Sequence, residues 1–280
     1  MPHKIRFAVN RISASTMPLA AFAAMARRLG VKAIEIRNDL ANVELSDGTP
    51  ARDIAAAANA HGLIVRSINA LQRFEQYDAT REAEALALAR YAVESGTQAL
   101  VLCPTNSRKD VRGADQRHAD LVHALRKLQP LLADNGLIGL VEALGFEECA
   151  VRRKSQAVRA IDEVGARATF ALVHDTFHHY LAGEATFFPE LTGLVHISGV
   201  EDKDLAPSDM RDGHRVLVGP ADRLGNIIQL RTLLAAGYSG YASFEPFADV
   251  IATATDIEQR LARSMAYIAA AVAESESSGA

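Results

Sequence analysis

Short apolar runs alternate with amphipathic segments along almost the whole chain. Eight of these runs are rich in aliphatic and β-branched residues, and each is followed by a stretch whose apolar residues recur at helical spacing. Most of the runs are too uniformly apolar for a strand with one face in water, and they are typical of a parallel sheet that is covered on both faces. We predict strands at Ile5–Val9, Ala33–Arg37, Leu63–Ile68, Ala99–Cys103, Leu137–Glu142, Thr169–Val173, Leu194–Ile197 and Ala242–Glu245.

The segments between the predicted strands carry residues that are typical of helix ends. In the first segment, we expect Ser15 or Thr16 to cap the amino end and Gly30 to end the helix in a left-handed conformation. Pro130 lies inside the fourth helical pattern. Because proline removes a backbone hydrogen bond, we expect a kink or an early end of the helix there.

Eight strand and helix units with no change of composition between the halves of the chain predict an α/β fold, a single-domain (β/α)8 TIM barrel over residues 1–273. Residues 274–280 are small and polar, and we expect them to form a flexible C-terminal tail. An open, doubly wound Rossmann sheet is the alternative. It is disfavoured because no G-x-G-x-x-G pattern follows the first strand, where a dinucleotide would bind.

Side chains with metal-binding chemistry end the last four predicted strands: Glu142, Asp175, His196 and Glu245. In a barrel, the loops that carry the chemistry all open at this end of the strands. A lone acid there is more often part of a salt bridge, but burying three carboxylates together is costly unless a cation balances them. Three carboxylates and one imidazole predict one divalent metal ion, with Mn²⁺ first and Zn²⁺, Co²⁺ or Mg²⁺ as alternatives.

Composition and charge limit the partners. The 280 residues are 49% hydrophobic and carry a net charge of −4, with both signs interspersed. No basic stripe is evident, and no apolar run approaches the roughly 20 residues that a membrane span needs, so we expect no nucleic-acid or membrane partner. The formation of a homo-oligomer is compatible with this sequence. The amino terminus lacks a secretory apolar region, which predicts a cytoplasmic protein with reduced Cys103 and Cys149.

Several runs of residues make the chain resemble a known family. They are similar to runs in the inosose (2-keto-myo-inositol) isomerases, which belong to the xylose-isomerase-like superfamily of sugar isomerases and epimerases. The runs are Glu35-Ile-Arg37, Asn69-Ala-Leu71, Val141-Glu142 with Gly145, His174-Asp175-Thr-Phe-His178, Val195-His196-Ile197, Asp212-Gly-His-Arg215 with Gly219, and Gly237-Tyr-Ser-Gly-Tyr-Ala-Ser-Phe-Glu245. The resemblance covers nearly the whole chain and implies a metal-dependent isomerase that acts on a polyol ketone or a sugar.

The resemblance also implies roles for individual residues. The four strand-end residues above would bind the metal, and two of them, Glu142 and Glu245, would also be the acid and base that move a proton next to the carbonyl through an enediolate. His178 and Arg215 would hold oxygens of the substrate. Both follow predicted strands.

For three further positions, the sequence leaves more than one role open. Arg37 and Asn69 are predicted to end strands two and three, where each either lines the substrate pocket or forms a salt bridge or a loop cap at the rim. Ser198 departs from the family, because the residue two positions after the histidine of strand seven is usually acidic. The contacts of the loop that follows are therefore not implied.

Other functions would use the same metal site. A ketose 3-epimerase, a hydroxypyruvate isomerase or an inosose dehydratase differs from an inosose isomerase mainly in its loops. An apurinic (AP) endonuclease-type DNA repair enzyme needs additional histidines on strands three and four, which here end at Asn69-Ala70 and Cys103-Pro104. A non-catalytic sugar-binding barrel would need no metal. The sequence assigns no role to His174, His179 and His214.

Overall fold

The computed structural model describes residues 5–274, and its eight parallel strands close into a barrel in chain order. The first strand pairs with the last, so the described sheet has no open edge. This confirms the predicted (β/α)8 barrel. The strands are β1 (Arg6–Asn10), β2 (Ala33–Arg37), β3 (Ile64–Gln72), β4 (Ala99–Cys103), β5 (Ile138–Glu142), β6 (Phe170–Asp175), β7 (Thr192–Ile197) and β8 (Tyr241–Phe244).

Helices cover the outside of the barrel. Within residues 5–274, no helix is both long enough and apolar enough to cross a membrane. Short 3₁₀ helices occur at Arg11–Ala14, Pro207–Asp209 and Asp212–His214. The α-helices are α1 (Leu19–Arg28), α2 (Ala51–Ala60), α3 (Ala79–Ser95), α4 (Ala114–Asp134), α5 (Lys154–Val164), α6 (Thr176–Ala182), α7 (Asn226–Ala235), α8 (Asp249–Ala252) and α9 (Ile257–Ala273).

The predicted start of α1 is wrong, and of the two outcomes predicted at Pro130, a kink or an early end of the helix, the early end does not occur. The helix α1 begins after Pro18, not after Ser15 or Thr16, because the preceding 3₁₀ helix continues into a turn that is closed by a hydrogen bond from Met17 N to Ala14 O. The helix α4 does not end early at Pro130 but continues to Asp134. Its last turns bury leucine side chains against the barrel, and this packing offsets the missing hydrogen bond.

The strand β3 also differs from its prediction, because it continues beyond Ile68 to Gln72. The additional residues pair with β4, with Leu71 beside Leu102. Asn69 therefore lies within β3 and not at its end. Of the predicted tail, Glu274 is the cap of α9, and residues 275–280 lie outside the described residues.

The alternation of side chains along each strand separates two layers of the core. Outward side chains such as Val9 and Ile34 pack against the helices, whereas inward ones such as Ala8, Leu140 and Leu194 fill the barrel. Counting in steps of two from the inward residues leads to Glu142 and Asp175 at the ends of β5 and β6, to His196 one residue before the end of β7, and to Glu245 directly after β8. The four predicted metal ligands therefore point into the mouth of the barrel.

The loop between β5 and α5 packs tightly against α6, which carries His178. A Cβ atom on Gly145 would overlap with the backbone oxygen of His178 and lie 2.8 Å from the Cβ of Leu181. Only glycine fits there, because the backbone of the helix cannot move aside as the end of a side chain could.

We expect Gly145→Ala to lower the free energy of unfolding by about 1–3 kcal/mol, since the added methyl group must displace α6. Urea denaturation measures the change. The matched control is Gly213→Ala, because the exposed Gly213 is not in the left-handed region and a Cβ atom there would have no neighbour within 4 Å. The control should change stability by less than about 0.5 kcal/mol. Equal stabilities of the two variants would contradict the packing of the loop on α6.

Candidate metal centre and pocket

Four side chains with metal-binding chemistry converge at the mouth of the barrel. Glu142, Asp175 and His196 stand at the ends of β5, β6 and β7, and Glu245 follows β8 directly. One donor atom of each lies within 4.8 Å of the others, and each residue is at most 4% exposed. The structure therefore brings together the four residues that the sequence singles out. Three carboxylates and an imidazole at this spacing match the ligand set of a divalent cation.

His196 lies at the centre of this group. Its Nδ1 atom is 3.1 Å from Oε1 of Glu142 and 3.1 Å from Oε2 of Glu245, and its Nε2 atom is 3.1 Å from Oε2 of Glu35. Burial would lower the pKa of His196, but the carboxylates of Glu245, Glu35 and Glu142 raise it well above its usual value. Glu142 and Glu245 therefore make the space around the Nδ1 atom favourable for a cation.

Glu35 is a residue of the candidate site that sequence reasoning missed. It lies inside the barrel on β2, fully buried, where it accepts hydrogen bonds from Ser67 and from Nδ2 of Asn69 at 3.0 Å. Burial would raise the pKa of Glu35, but the charge and hydrogen bond of His196 lower it to about 2. A carboxylate behind a histidine ligand fixes the orientation of the ring and leaves the other nitrogen free for a metal. The available signal was an acid between two isoleucines at an inward position.

Two arginines hold the carboxylate of Glu245. Arg37 donates to Oε1 at 2.8 Å, and Arg215 donates to Oε2 at 3.0 Å. Each arginine is in turn bound by an aspartate: Arg37 by both oxygens of Asp39, and Arg215 by Asp212 at 3.1 Å. Both predicted substrate-binding arginines therefore lie at the site, and their guanidinium groups are already engaged with carboxylates.

Asp175 connects the candidate metal centre to α6. Its Oδ1 atom accepts hydrogen bonds from the backbone N–H groups of Phe177 at 2.8 Å and His178 at 3.0 Å, and so caps α6. Its Oδ2 atom accepts from Arg215, whose Nε also donates to Ser198 at 2.9 Å. His178 is thereby fixed in the first turn of α6. Its Nδ1 atom has no hydrogen-bond partner among the described residues.

A cavity of about 410 Å³ opens above these residues. Its size suits a small molecule, and its lining mixes charged groups with the aromatic ring of Phe146, which packs edge-on against His178 at 5.3 Å. All four residues predicted to bind substrate border it. Its lining includes Arg37, Asn69, Cys103, Glu142, Phe146, His178, Asp212, Arg215 and Glu245.

The thiol of Cys103 lies at the edge of the metal centre. It donates a hydrogen bond to Oε2 of Glu142 at 3.4 Å. Burial and the charge of Glu142 raise the pKa of Cys103 well above its usual value, so the group stays a neutral thiol.

Two of the three histidines without an assigned role lie behind β6, outside the cavity. His174 is fully buried, and the ring of His179 packs on it at 4.6 Å. The ammonium group of Lys154 donates to Nδ1 of His174 at 2.7 Å. His214 is exposed, and its Nδ1 atom accepts a hydrogen bond from the backbone of Arg211.

Lys154 is buried, and burial lowers its pKa from 10.5 to about 7, against the opposing charge of Glu184. The unfolded chain therefore binds a proton between these two pH values that the folded protein does not hold. It follows that this group makes the protein more stable as the pH rises from about 7 towards 10.

We expect this dependence to disappear in Lys154→Met. Urea denaturation of both proteins at several pH values measures it. The difference in free energy of unfolding, wild type minus variant, should rise by on the order of 3 kcal/mol between pH 7 and pH 10. The variant provides the baseline, because every other titrating group is the same in both proteins. A difference that is constant with pH would show that the pKa of Lys154 is not lowered.

Comparison with known proteins agrees with the fold. Residues 23–271 match the xylose isomerase-like TIM barrel family. A xylose isomerase domain containing protein from Salmonella typhimurium LT2 is 32% identical, with a TM-score of 0.87, and the match covers 94% of this chain and 97% of that one. No curated protein sequence matches the chain.

Two more distant solved structures share the fold. The IOLI protein, described with a binding zinc atom, is 20% identical with a TM-score of 0.82 over 96% of this chain and 99% of that one. The 3-keto-D-glucoside 4-epimerase of E. coli is 17% identical with a TM-score of 0.69 over 95% and 99%. The superfamily that the sequence motifs predict is confirmed, and the chain belongs to the xylose isomerase-like TIM barrel family.

Proposed function

We propose that the protein is a divalent-metal-dependent isomerase that moves a proton next to the carbonyl of a sugar or cyclitol, with 2-keto-myo-inositol as the substrate. The observation that carries this proposal is the convergence of Glu142, Asp175, His196 and Glu245 beside a cavity of small-molecule size. Membership of the xylose isomerase-like family supports an isomerase or epimerase. The runs of residues shared with inosose isomerases support the choice of substrate.

The chemistry of the four side chains fits a metal ion. They offer oxygen and nitrogen donors together, which Mn²⁺, Zn²⁺ and Co²⁺ accept, and which Mg²⁺ accepts less readily. The raised pKa of His196 reflects an excess of buried negative charge, and a divalent cation would balance it. When bound, such an ion supplies a Lewis acid that polarises the substrate carbonyl. We expect Mn²⁺ to be the resident ion.

Glu142 and Glu245 are placed to transfer the proton. They come from β5 and from the end of β8, so they reach the mouth of the barrel from different strands, and both border the cavity. One carboxylate takes a proton from the carbon next to the carbonyl, which gives an enediolate. The other carboxylate, or the same one, then returns a proton at the former carbonyl carbon, while the proton of the neighbouring hydroxyl passes to the former carbonyl oxygen, so that the carbonyl moves by one carbon.

His178 and Arg215 orient the substrate in this proposal. The side chain of His178 is nearly buried, borders the cavity and has a ring nitrogen without a partner in the described part of the chain. Arg215 presents its guanidinium group beside Glu245 and Asp175. These donors suit the hydroxyl and carbonyl oxygens of a polyol ketone.

The charges around the cavity favour an uncharged substrate. Arg37 and Arg215 border it, but Glu245, Asp39 and Asp212 already accept most of the hydrogen bonds that the two guanidinium groups can donate. A phosphate group needs free N–H donors, such as those of a glycine-rich loop before a helix, and the sequence shows no such loop. We therefore propose a neutral polyol ketone over a sugar phosphate.

The first expected result is the binding of one divalent metal ion per chain. Protein purified without chelator and dialysed against Mn²⁺, Zn²⁺, Co²⁺ or Mg²⁺ should hold one ion by elemental analysis, and His196→Ala should lose it because one of the four ligands is missing. The control is His118→Ala, since His118 lies on α4 with Nε2 2.9 Å from Glu163 and outside the site. Wild-type protein that takes up none of these ions would contradict the site.

The second expected result concerns the substrate and its proton. In D₂O, 2-keto-myo-inositol should incorporate deuterium next to its carbonyl, measured by NMR, and should be preferred over ketohexoses and sugar phosphates. Glu142→Gln and Glu245→Gln should each slow this exchange by about 10²–10⁴-fold, because glutamine cannot accept the proton. Metal occupancy should fall only in part, since the amide keeps an oxygen ligand.

Glu163→Gln is the control for this exchange, because Glu163 lies on the outer side of α5 beside His118. A preference for a phosphorylated sugar would contradict the inosose assignment and leave the metal site intact. A Glu245→Gln protein that keeps its metal and exchanges at the wild-type rate would make Glu245 a ligand without a role in proton transfer.

A further inference from the structure

A chain of buried hydrogen bonds runs behind β6, on the side that faces the helices. Nζ of Lys154 donates to Nδ1 of His174 at 2.7 Å, and Nε2 of His174 donates to Oε1 of Gln229 at 2.8 Å. Nε2 of Gln229 donates to the backbone oxygens of Thr176 at 3.0 Å and Leu224 at 2.8 Å. The chain thus connects α5, β6, α6, α7 and the loop that precedes α7.

The direction of every bond in this chain is determined. The amide nitrogen of Gln229 faces two carbonyl oxygens, so its amide oxygen must face His174. His174 therefore carries its proton on Nε2, and its Nδ1 accepts from Lys154. All three side chains are at most 5% exposed. Because an unmatched donor or acceptor is costly at such depth, the three side chains fix one another in a single arrangement.

This chain holds the residues on both sides of a proposed metal ligand. His174 precedes Asp175 in β6, and Thr176 follows it as the first residue of α6. The side chain of His174 and the backbone oxygen of Thr176 both bind Gln229, which lies on α7. The backbone of Asp175 is thereby anchored on each side to the same glutamine, from the face opposite to the metal centre.

The other end of the chain is anchored equally well. Lys154 also donates to the backbone oxygen of Phe187 at 3.2 Å and lies over the ring of Phe187 at 5.4 Å. Its backbone N–H donates to Glu184 at 3.0 Å. The loop after α6 therefore holds Lys154, the first residue of α5, in place, and Lys154 holds His174.

We propose that Gln229, His174 and Lys154 are positioning residues that set the place of Asp175 at the metal centre, an inference that rests on the proposed metal site. A metal ligand must be held to within about 0.5 Å of its productive place. The carboxylate of Asp175 has two tasks, since one oxygen caps α6 and the other meets Arg215. The backbone of Asp175 must therefore be fixed by other contacts, and the hydrogen bonds behind β6 provide them.

The test compares Co²⁺ binding by the wild type and by Gln229→Met, a side chain of similar length that cannot replace the hydrogen bonds. Isothermal titration should show that the Kd for Co²⁺ rises by about 10- to 100-fold, as for other groups that support metal ligands. The visible absorption bands of bound Co²⁺ should shift, because they depend on ligand geometry. Gln229→Asn keeps the amide but shortens its reach, and it provides a milder variant should Gln229→Met not fold.

Tyr238→Phe is the matched control. It also removes one buried hydrogen bond to a backbone oxygen, that of Tyr241 at 2.8 Å, but at the amino end of β8. It should lower thermal stability and leave both the Kd and the Co²⁺ spectrum unchanged. Gln229 variants that bind Co²⁺ with wild-type affinity and spectrum would overturn the positioning role, whatever their stability. A wild-type protein that binds no Co²⁺ would instead overturn the metal site on which the inference rests.

Discussion

Four carboxylates buried at the mouth of the barrel are the constraint on which the rest of the site depends. Glu35, Glu142, Asp175 and Glu245 are each at most 4% exposed. Ionised carboxylates at such depth lose most of their hydration, and they are tolerated only where positive charge and hydrogen-bond donors replace the water. In this site, the positive charge and the donors come from His196, whose pKa is raised, and from two arginines.

The residues that balance these charges also form the walls of the cavity. Arg215 neutralises Glu245 and Asp175, and its remaining donors reach Ser198 and Asp212 in the long segment after β7. The backbone oxygen of Ser198 in turn accepts from Asn226 at the start of α7 at 2.8 Å. Ser198 is thus part of the network that holds the arginine. A serine oxygen is sufficient here because the negative charge comes from the other partners.

The sequence predicts those parts of the structure that depend on residues close together along the chain. Glu142, Asp175, His196 and Glu245 each end an apolar run, so both their place at a strand end and their inward direction can be read from their own strand. For Glu35, the strand shows only that an acid points inwards; its contact is not local, because its partner His196 is 161 residues away and the contact depends on the registers of several strands. The predicted start of α1 is wrong for a different, local reason: the capping residues Ser15 and Thr16 are correct in type, but a preceding turn includes them.

Burial of a charged side chain is the property that a local pattern shows least. Lys154 follows two arginines in the sequence Arg152-Arg153-Lys154 and resembles an exposed residue at the start of a helix. It is nevertheless buried, because His174 on β6 and the backbone of the loop after α6 accept its hydrogen bonds. These partners come from separate units of the barrel, so only the closed fold brings them together.

The two glutamates of the proposed reaction have different surroundings, and the difference follows from the order of the strands. Glu245 follows β8, which pairs with β1. It accepts hydrogen bonds from Asn10 on β1, from Arg37 on β2 and from Arg215. Burial would raise the pKa of Glu245, but His196 and these arginines hold it well below its usual value. Glu142 instead meets the neutral thiol of Cys103 and the ring of His196. In the proposed reaction, one carboxylate is therefore firmly held as an anion, and the other is held by fewer and weaker donors.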